Sequence, residues 1–296
     1  MIKKRGQANI ALLVIALGLV WFLKDKSKPV PTPATPKLSK VKAAAITDIT
    51  IRRQGHAQIV LKRKGTQWFL QQPISARADQ FRVEALTNVA DSTPHDRFDA
   101  PKTRLRAFGL APPQAVLTLN DQKILVGRRR PFGDLRYILI GHTIALVPAE
   151  VIHPRRLTSD SFISSELLSA RIRPVAFTLP RFTVARDRGI WKVTPMPARL
   201  SNDRINTFVE GWRYARALSV SRYHHHRLPI GRVIIRYRMA SHKKPLAKPV
   251  IKTLDVDILT TRPELILLRP DQGLLYHFPA EIGKHLLHLN ARAGTS

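Results

Sequence analysis

VPAEVI at residues 147–152 returns near the end of the chain as FPAEIG at residues 278–283. Walking back from each copy shows that more than a tripeptide recurs. GTQWFLQQPISARADQFRV (65–83) and GIWKVTPMPARLSNDRI (189–205) run through the same order of Gly, Trp, Pro, Ala, Arg and Asp. Trp68 and Asp79 stand eleven positions apart, and Trp191 and Asp203 twelve. From Trp68 to Pro148 is 80 positions, and from Trp191 to Pro279 is 88. Phe98 and Tyr223 close the intervening segments, thirty and thirty-two positions after their tryptophans. Kept order with kept spacing predicts two diverged copies of one unit, divided as 45–158 and 159–296, with the second copy's recurring features inside 170–290.

Each copy reads as strands, a helix, then strands. ITDITIRR and AQIVLKRK alternate apolar and polar residues around a turn at QGH, which is the pattern of a hairpin. Trp68 begins a further strand that Pro73 ends, and Asp79 is placed to cap a helix carrying Phe81, Val83, Leu86 and Val89. AVLTL, KILVG, RYILIG and TIALVP supply short strands between Gly, Asn and Asp turns. The second copy offers VAFTLP, FTVARD and WKV, a helix from Asp203 through Val209 to Trp212, then GRVIIRYRM, TLDVDIL and ELILLRP. Pro-Ala-Glu is punctuation in this reading. A strand ends at Val147 or Phe278, the proline breaks it, and Ala-Glu opens a short closing helix in both copies. The fold class expected is α+β, with mainly antiparallel sheet.

The chain of 296 residues, 44% hydrophobic, is long enough for ample core. Cysteine is absent, which excludes a disulfide framework, a thiol nucleophile and thiolate metal sites. A net charge of +30 draws polyanions: nucleic acid, anionic lipid or acidic envelope polymers. Residues 8–23, ANIALLVIALGLVWFL, carry no charge and follow a basic tail at 1–7. As a helix they reach about 24 Å, a little short of the ~30 Å hydrocarbon core, and Trp21 with Lys24 and Lys26 extends that reach. Trp21, Phe22 and Leu23 stand where signal cleavage needs small residues, so a retained transmembrane signal anchor is expected. Residues 24–44 hold Pro29, Pro31, Pro33 and Pro36 among lysines, a semi-rigid Pro/Lys linker. Lys3, Lys4 and Arg5 favour an inside tail, which puts the long C-terminal part in the periplasm of a bacterium, on its inner membrane.

A family resemblance enters at WFLQQP followed by ADQFRVEAL, FGLAPP before AVLTL (108–119), and ILVGRRRPFGDLRYILI (124–140). In their order these resemble the bacterial family called domain of unknown function 4340, whose members carry an N-terminal anchor. The resemblance is strongest over 65–150. It implies an envelope accessory role beside gliding-motility-type ABC transporters and carries over no catalytic residue. The basic GRRRPFG segment departs from the family pattern.

Chemistry is sparse. The chain has no Gly-rich phosphate loop and no nucleophile elbow, so no cofactor is expected. His224, His225 and His226 are adjacent and point different ways, which suits a solvated loop better than a chelate. Glu281, His285 and His288, at i, i+4 and i+7, would share a helix face as metal ligands can, or form the polar flank of the stripe Ile282, Leu286 and Leu289. Asp255 and Asp257 share a strand face without a partner acid–base group. In GRVIIRYRM, period two puts Arg232, Arg236 and Arg238 on one face and Val233, Ile235 and Tyr237 on the other. With Arg128, Arg129 and Arg130 read as the equivalent part of the first copy, these are the anion-binding candidates.

The expectation is a non-enzymatic, single-pass envelope scaffold or accessory subunit with a membrane-protein partner among ABC transporter components. A periplasmic polyanion-binding module, for lipopolysaccharide, anionic lipid or acidic polymer, is the alternative. An envelope hydrolase using His and carboxylates is a third reading. No base-reading motif or aromatic stacking set appears, so no specific nucleic acid is expected.

Overall fold

The computed structural model describes residues 37–39, 41–100, 104–196, 200–224, 227–240 and 250–289. The anchor expected at 8–23 and most of the 24–44 linker lie outside the described residues. Among the described residues no helix is long and apolar enough to cross a membrane.

The first half opens with a meander of β1 (Asp48–Arg52), β2 (Ile59–Lys64), β3 (Gln67–Gln72) and the two-residue β4 (Ala76–Arg77). Helix α1 (Gln80–Thr87) and β5 (Asp96–Asp99) follow, then a second meander, β6 (Ala115–Leu119), β7 (Gln122–Arg129), β8 (Leu135–Ile140) and β9 (Thr143–Pro148). The second half repeats this with β10 (Ile172–Thr178), β11 (Thr183–Asp187) and β12 (Ile190–Thr194), then α2 (Asn202–Arg213) and β13 (Ser219–Arg222). It ends with β14 (Gly231–Met239), β15 (Lys252–Thr260), β16 (Glu264–Arg269), β17 (Leu274–Pro279) and α3 (Ala280–Leu287).

Strand order states the relation between the halves. The first sheet runs β4-β3-β2-β1-β6-β7-β8-β9-β5, and the second β12-β11-β10-β14-β15-β16-β17-β13. Set β10 against β1 and β14–β17 against β6–β9, and the second order is the first without its short edge strand β4. The pairings are antiparallel, as between β1 and β6 or β14 and β15, so the described residues are mostly antiparallel sheet with three α-helices, an α+β fold. Period two puts one row of each strand inside: Ile49 and Ile51, Ile59 and Leu61, Trp68 and Leu70 are all buried. Val233 and Ile235, Leu265 and Leu267, Tyr276 and Phe278 do the same in the second half.

Each half lays a capped helix on its sheet. The Asp79 carboxylate accepts from the Arg82 N–H at 3.1 Å and caps α1. Helix α2, read from the sequence as starting at Asp203, starts at Asn202 and is capped by Ser201, whose hydroxyl accepts from the Arg204 N–H. Val83, Leu86 and Thr87 are the buried residues of α1; Phe81 is 81% exposed and Val89 falls beyond the helix end, so the apolar face read there is corrected on both counts. In α2, Ile205, Phe208, Val209 and Trp212 form the buried stripe. Trp212 is wholly buried, and its Nε1 donates to the Leu286 carbonyl at 2.7 Å, which locks α2 onto α3.

Only one Pro-Ala-Glu opens a helix. Pro279 is the N-cap of α3, whereas Ala149, Glu150 and Val151 form a turn after β9, followed by a short 3-10 segment at Pro154–Arg156. Pro154 removes a donor and its ring opposes continuation of a helix from the turn.

Residues 162–167 join the halves through backbone. Asp79 donates to Phe162 O and Ser164 to Arg77 O, while Leu167 donates to Ala215 O and Ala217 to Ser165 O, all between 2.8 and 3.0 Å. Side chains close the seam. The Arg77 guanidinium meets the Glu166 carboxylate at 3.4 Å, Arg216 meets it at 2.7 Å, and buried Arg269 donates to the Leu167 carbonyl at 2.7 Å. Burial pulls the Arg77 guanidinium below its ordinary pKa, against the opposing pull of Tyr276 and Glu166. One continuous core cluster runs from Leu38 to Leu289 through both halves.

Candidate functional site

Three features gather at the second sheet, and period two sorts them between its faces. On the outer face, away from the helices, Arg232, Arg236 and Arg238 project from β14 while Val233 and Ile235 are buried beneath them. Arg232 is neutralised: its Nε donates to the buried Asp257 carboxylate at 2.6 Å, and Asp255 lies 3.6 Å from the guanidinium. The hydrogen bond to Asp257 raises the Arg232 pKa. The two aspartates on one strand face are therefore partners of an arginine. Arg238 stands directly opposite Arg173 of β10 in the register, with Arg236 two residues away. Cross-strand neighbours of like charge repel unless something compensates them.

The arginines at 128–130 do not belong to this group. They lie at the end of β7, whose counterpart is β15 and not β14, and on the other sheet. Arg129 is paired with Asp134; Arg128 and Arg130 are exposed. The structure therefore does not bring the six arginines read from the sequence onto one sheet face; Arg236 and Arg238 share theirs with Arg173. Arg173 was missed because its partner could be found only from the β10–β14 register.

Further along the same face, Ser221 Oγ lies 3.0 Å from His277 Nε2, and His277 Nδ1 lies 3.0 Å from Glu264 Oε1. The three sit on adjacent strands β13, β17 and β16. Register equates them with Phe98, Leu146 and Leu135 of the first half, so a hydrogen-bonded line stands at three positions that are apolar there. In the first half Phe108 packs at 4.9 Å from Tyr137 and 5.7 Å from Phe98 between ring centroids, and fills the same region. In the second half that region is a groove of about 530 Å³, bordered by His277, Glu264, Tyr223, Arg222 and Arg227. His224 also borders it; His225 and His226 lie outside the described residues. No sequence spacing announces this line, since its members are 43 and 13 positions apart on strands that only the sheet order brings together.

The inner face opens into a second cleft, of about 410 Å³, beside α3. Leu179, Phe182, Ile258 and Leu265 make its apolar floor, and Arg181, Arg262, Lys284 and His288 its rim. Gly283 sets α3 close to the sheet: a Cβ there would stand 2.7 Å from Leu265 Cβ. The Glu281–His285–His288 face is broken, because α3 ends at Leu287 and His288 has extended backbone. Glu281 pairs with Lys284 at 2.7 Å, which lowers its carboxyl pKa. Among the described residues no group of three or more His, Asp or Glu is placed to hold a metal ion.

Comparison with protein-family models, with curated proteins and with solved structures finds no match to this chain.

Proposed function

We propose that this is a membrane-tethered envelope accessory protein that works by binding anionic ligands at the second half. The register that sets Arg238 against Arg173 beside Arg236, with Arg232 already neutralised, carries the reading: it concentrates uncompensated positive charge on one exposed sheet face. The apolar run at 8–23 and the proline–lysine segment after it support the tether and a periplasmic location on a bacterial inner membrane. A strand order that matches between the two sheets apart from the edge strand β4, with the recurring Gly-Trp-Pro-Ala-Arg-Asp order, supports descent of both halves from one duplicated unit. The resemblance to the domain of unknown function 4340 family supports a place beside an ABC-type transport system. The full chain in neutral-lipid nanodiscs should bind dextran sulfate with affinity that falls steeply with salt. Arg173→Gln, Arg236→Gln and Arg238→Gln together should remove most of that binding; a flat salt response, or an unchanged triple variant, sinks the reading. Crosslinking in native membranes should recover a transporter component, and recovery of none would remove the partner.

A second reading, envelope hydrolase, is favoured by the Ser221–His277–Glu264 line. With Glu264 holding the Nδ1 proton, His277 Nε2 can take the Ser221 proton as Oγ attacks an acyl carbonyl, and Arg222 and Arg227 border the same groove as positive charge for the oxyanion. A fluorophosphonate probe tests it on the full chain. Adduct on Ser221, lost in Ser221→Ala and His277→Gln, supports hydrolysis; absence of adduct dismisses it.

A further inference from the structure

We infer that the cleft beside α3 is a binding site for an anionic amphiphile with a single hydrocarbon chain and a carboxylate or phosphate head. The inference stands apart from the outer-face arginines, because period two places the cleft on the opposite side of the second sheet. Leu179, Ile258 and Leu265, buried core residues, and half-buried Phe182 line the cleft with hydrocarbon. A volume of about 410 Å³ is inside the range of small-ligand sites. The rim is cationic, and among the described residues no Asp or Glu lines the cleft. Lys284 is engaged by Glu281, which leaves Arg181 and Arg262, both exposed, to face the ligand; Arg262, on the β15–β16 turn, also borders the outer groove. An apolar floor alone would accept any oily molecule. The arginine rim selects the charged end, since guanidinium donors match carboxylate or phosphate oxygens two at a time.

The first half cannot form this site. No α-helix follows β9 to wall it, and the position of the cleft is specific to α3 and the β15–β16 turn. Ile230, 67% exposed at the mouth, fits a surface that is covered when a chain enters.

The test is photolabelling of the full-length protein in phosphatidylcholine nanodiscs with a diazirine analogue of palmitic acid, read by peptide mass spectrometry. Label should appear in 179–182, 258–265 or 280–288. Excess palmitate or hexadecyl phosphate should compete. Hexadecanol, which has the tail without the charge, and inorganic phosphate, which has the charge without the tail, should not. Arg181→Gln with Arg262→Gln should cut labelling by at least about tenfold, the effect of losing charge-assisted contacts. Thermal unfolding should be unchanged, because both side chains are exposed. Arg236→Gln with Arg238→Gln should leave labelling intact, so loss of polyanion binding and loss of this site are separable. Label confined to residues 8–23, equal competition by hexadecanol, or an unaffected Arg181/Arg262 variant overturns the inference.

Discussion

The two halves share a strand order and differ in how their sheets are covered. In the first, Phe98, Phe108 and Tyr137 close the outer face with aromatic contact, and β9 runs into a turn. In the second, Ser221 stands where Phe98 does, and His277 and Glu264 where Leu146 and Leu135 do, beside an open groove, and β17 runs into a helix that walls another cleft. Both clefts and the unneutralised outer-face arginines therefore belong to the second half. One sheet plan supports two differently covered outer faces, because the plan depends on the buried row of each strand and the outer row is free to change.

Four measurements would break or sharpen that contrast, beginning with the largest effect. Trp212→Ala removes a wholly buried ring and its 2.7 Å hydrogen bond to α3, and should cost about 3–5 kcal/mol. Val83→Ala, on the first half's helix, should cost about 2 kcal/mol. Denaturant unfolding that gives equal losses would deny that the second helix layer is the more heavily packed. Next come two glycines. A Cβ on Gly127 would lie 2.4 Å from the Phe108 carbonyl oxygen, an obstacle of backbone, whereas Gly283 faces the Leu265 side chain at 2.7 Å. Gly127→Ala should cost about 3 kcal/mol and Gly283→Ala about 1–2 kcal/mol, with the order visible as a difference in melting temperature.

Titration separates the halves more gently. Burial raises the Tyr276 hydroxyl pKa above its ordinary value near 10.0, so the unfolded chain ionises first and stability should fall as pH rises above that value. Tyr276→Phe should be less stable by about 1 kcal/mol at pH 8, for the lost bond to Gln272, and should recover against the wild type above pH 10. A constant difference across that range would show that the ring is not sealed from water. The smallest effect lies in the first half. Hydrogen bonds from Thr47 and Lys62 hold Asp48 below its ordinary 3.8, so its contribution is present above that pH and is lost as pH falls through the lowered value. The pair is half exposed and should amount to a few tenths of a kcal/mol, removed by Asp48→Asn and readable as a flatter acid limb.

Much of the fold could be read from the chain because strands and caps write locally. The ITDITIRR hairpin, the Asp79 cap and the alternation of GRVIIRYRM depend on neighbours within a few positions. The site was less legible because it depends on register. Arg173 meets Arg238 and Ser221 meets His277 only after four strands have been ordered across a sheet. Spacing also misled where structure ended sooner than periodicity did. Glu281, His285 and His288 fit one helix face only if α3 continues past Leu287, and a single Pro-Ala-Glu rule held after β17 but not after β9.

The placement of β5 has a consequence in time. It is made early, yet its partner in the sheet is β9, the last strand of its half, with Asp99 paired to Thr143. At roughly 5–20 residues per second of synthesis, those 44 positions leave the strand without a ladder for about 2–9 s. In the second half β13 waits likewise for β17, with Arg222 paired to Leu274. Each half can build its opening meander as it emerges, but neither can seal its far edge until its final strand arrives. A stall in synthesis before Thr143 or before Leu274 leaves the same kind of fragment twice: a helix and an orphan strand with hydrocarbon uncovered, the form most open to chaperones and proteases.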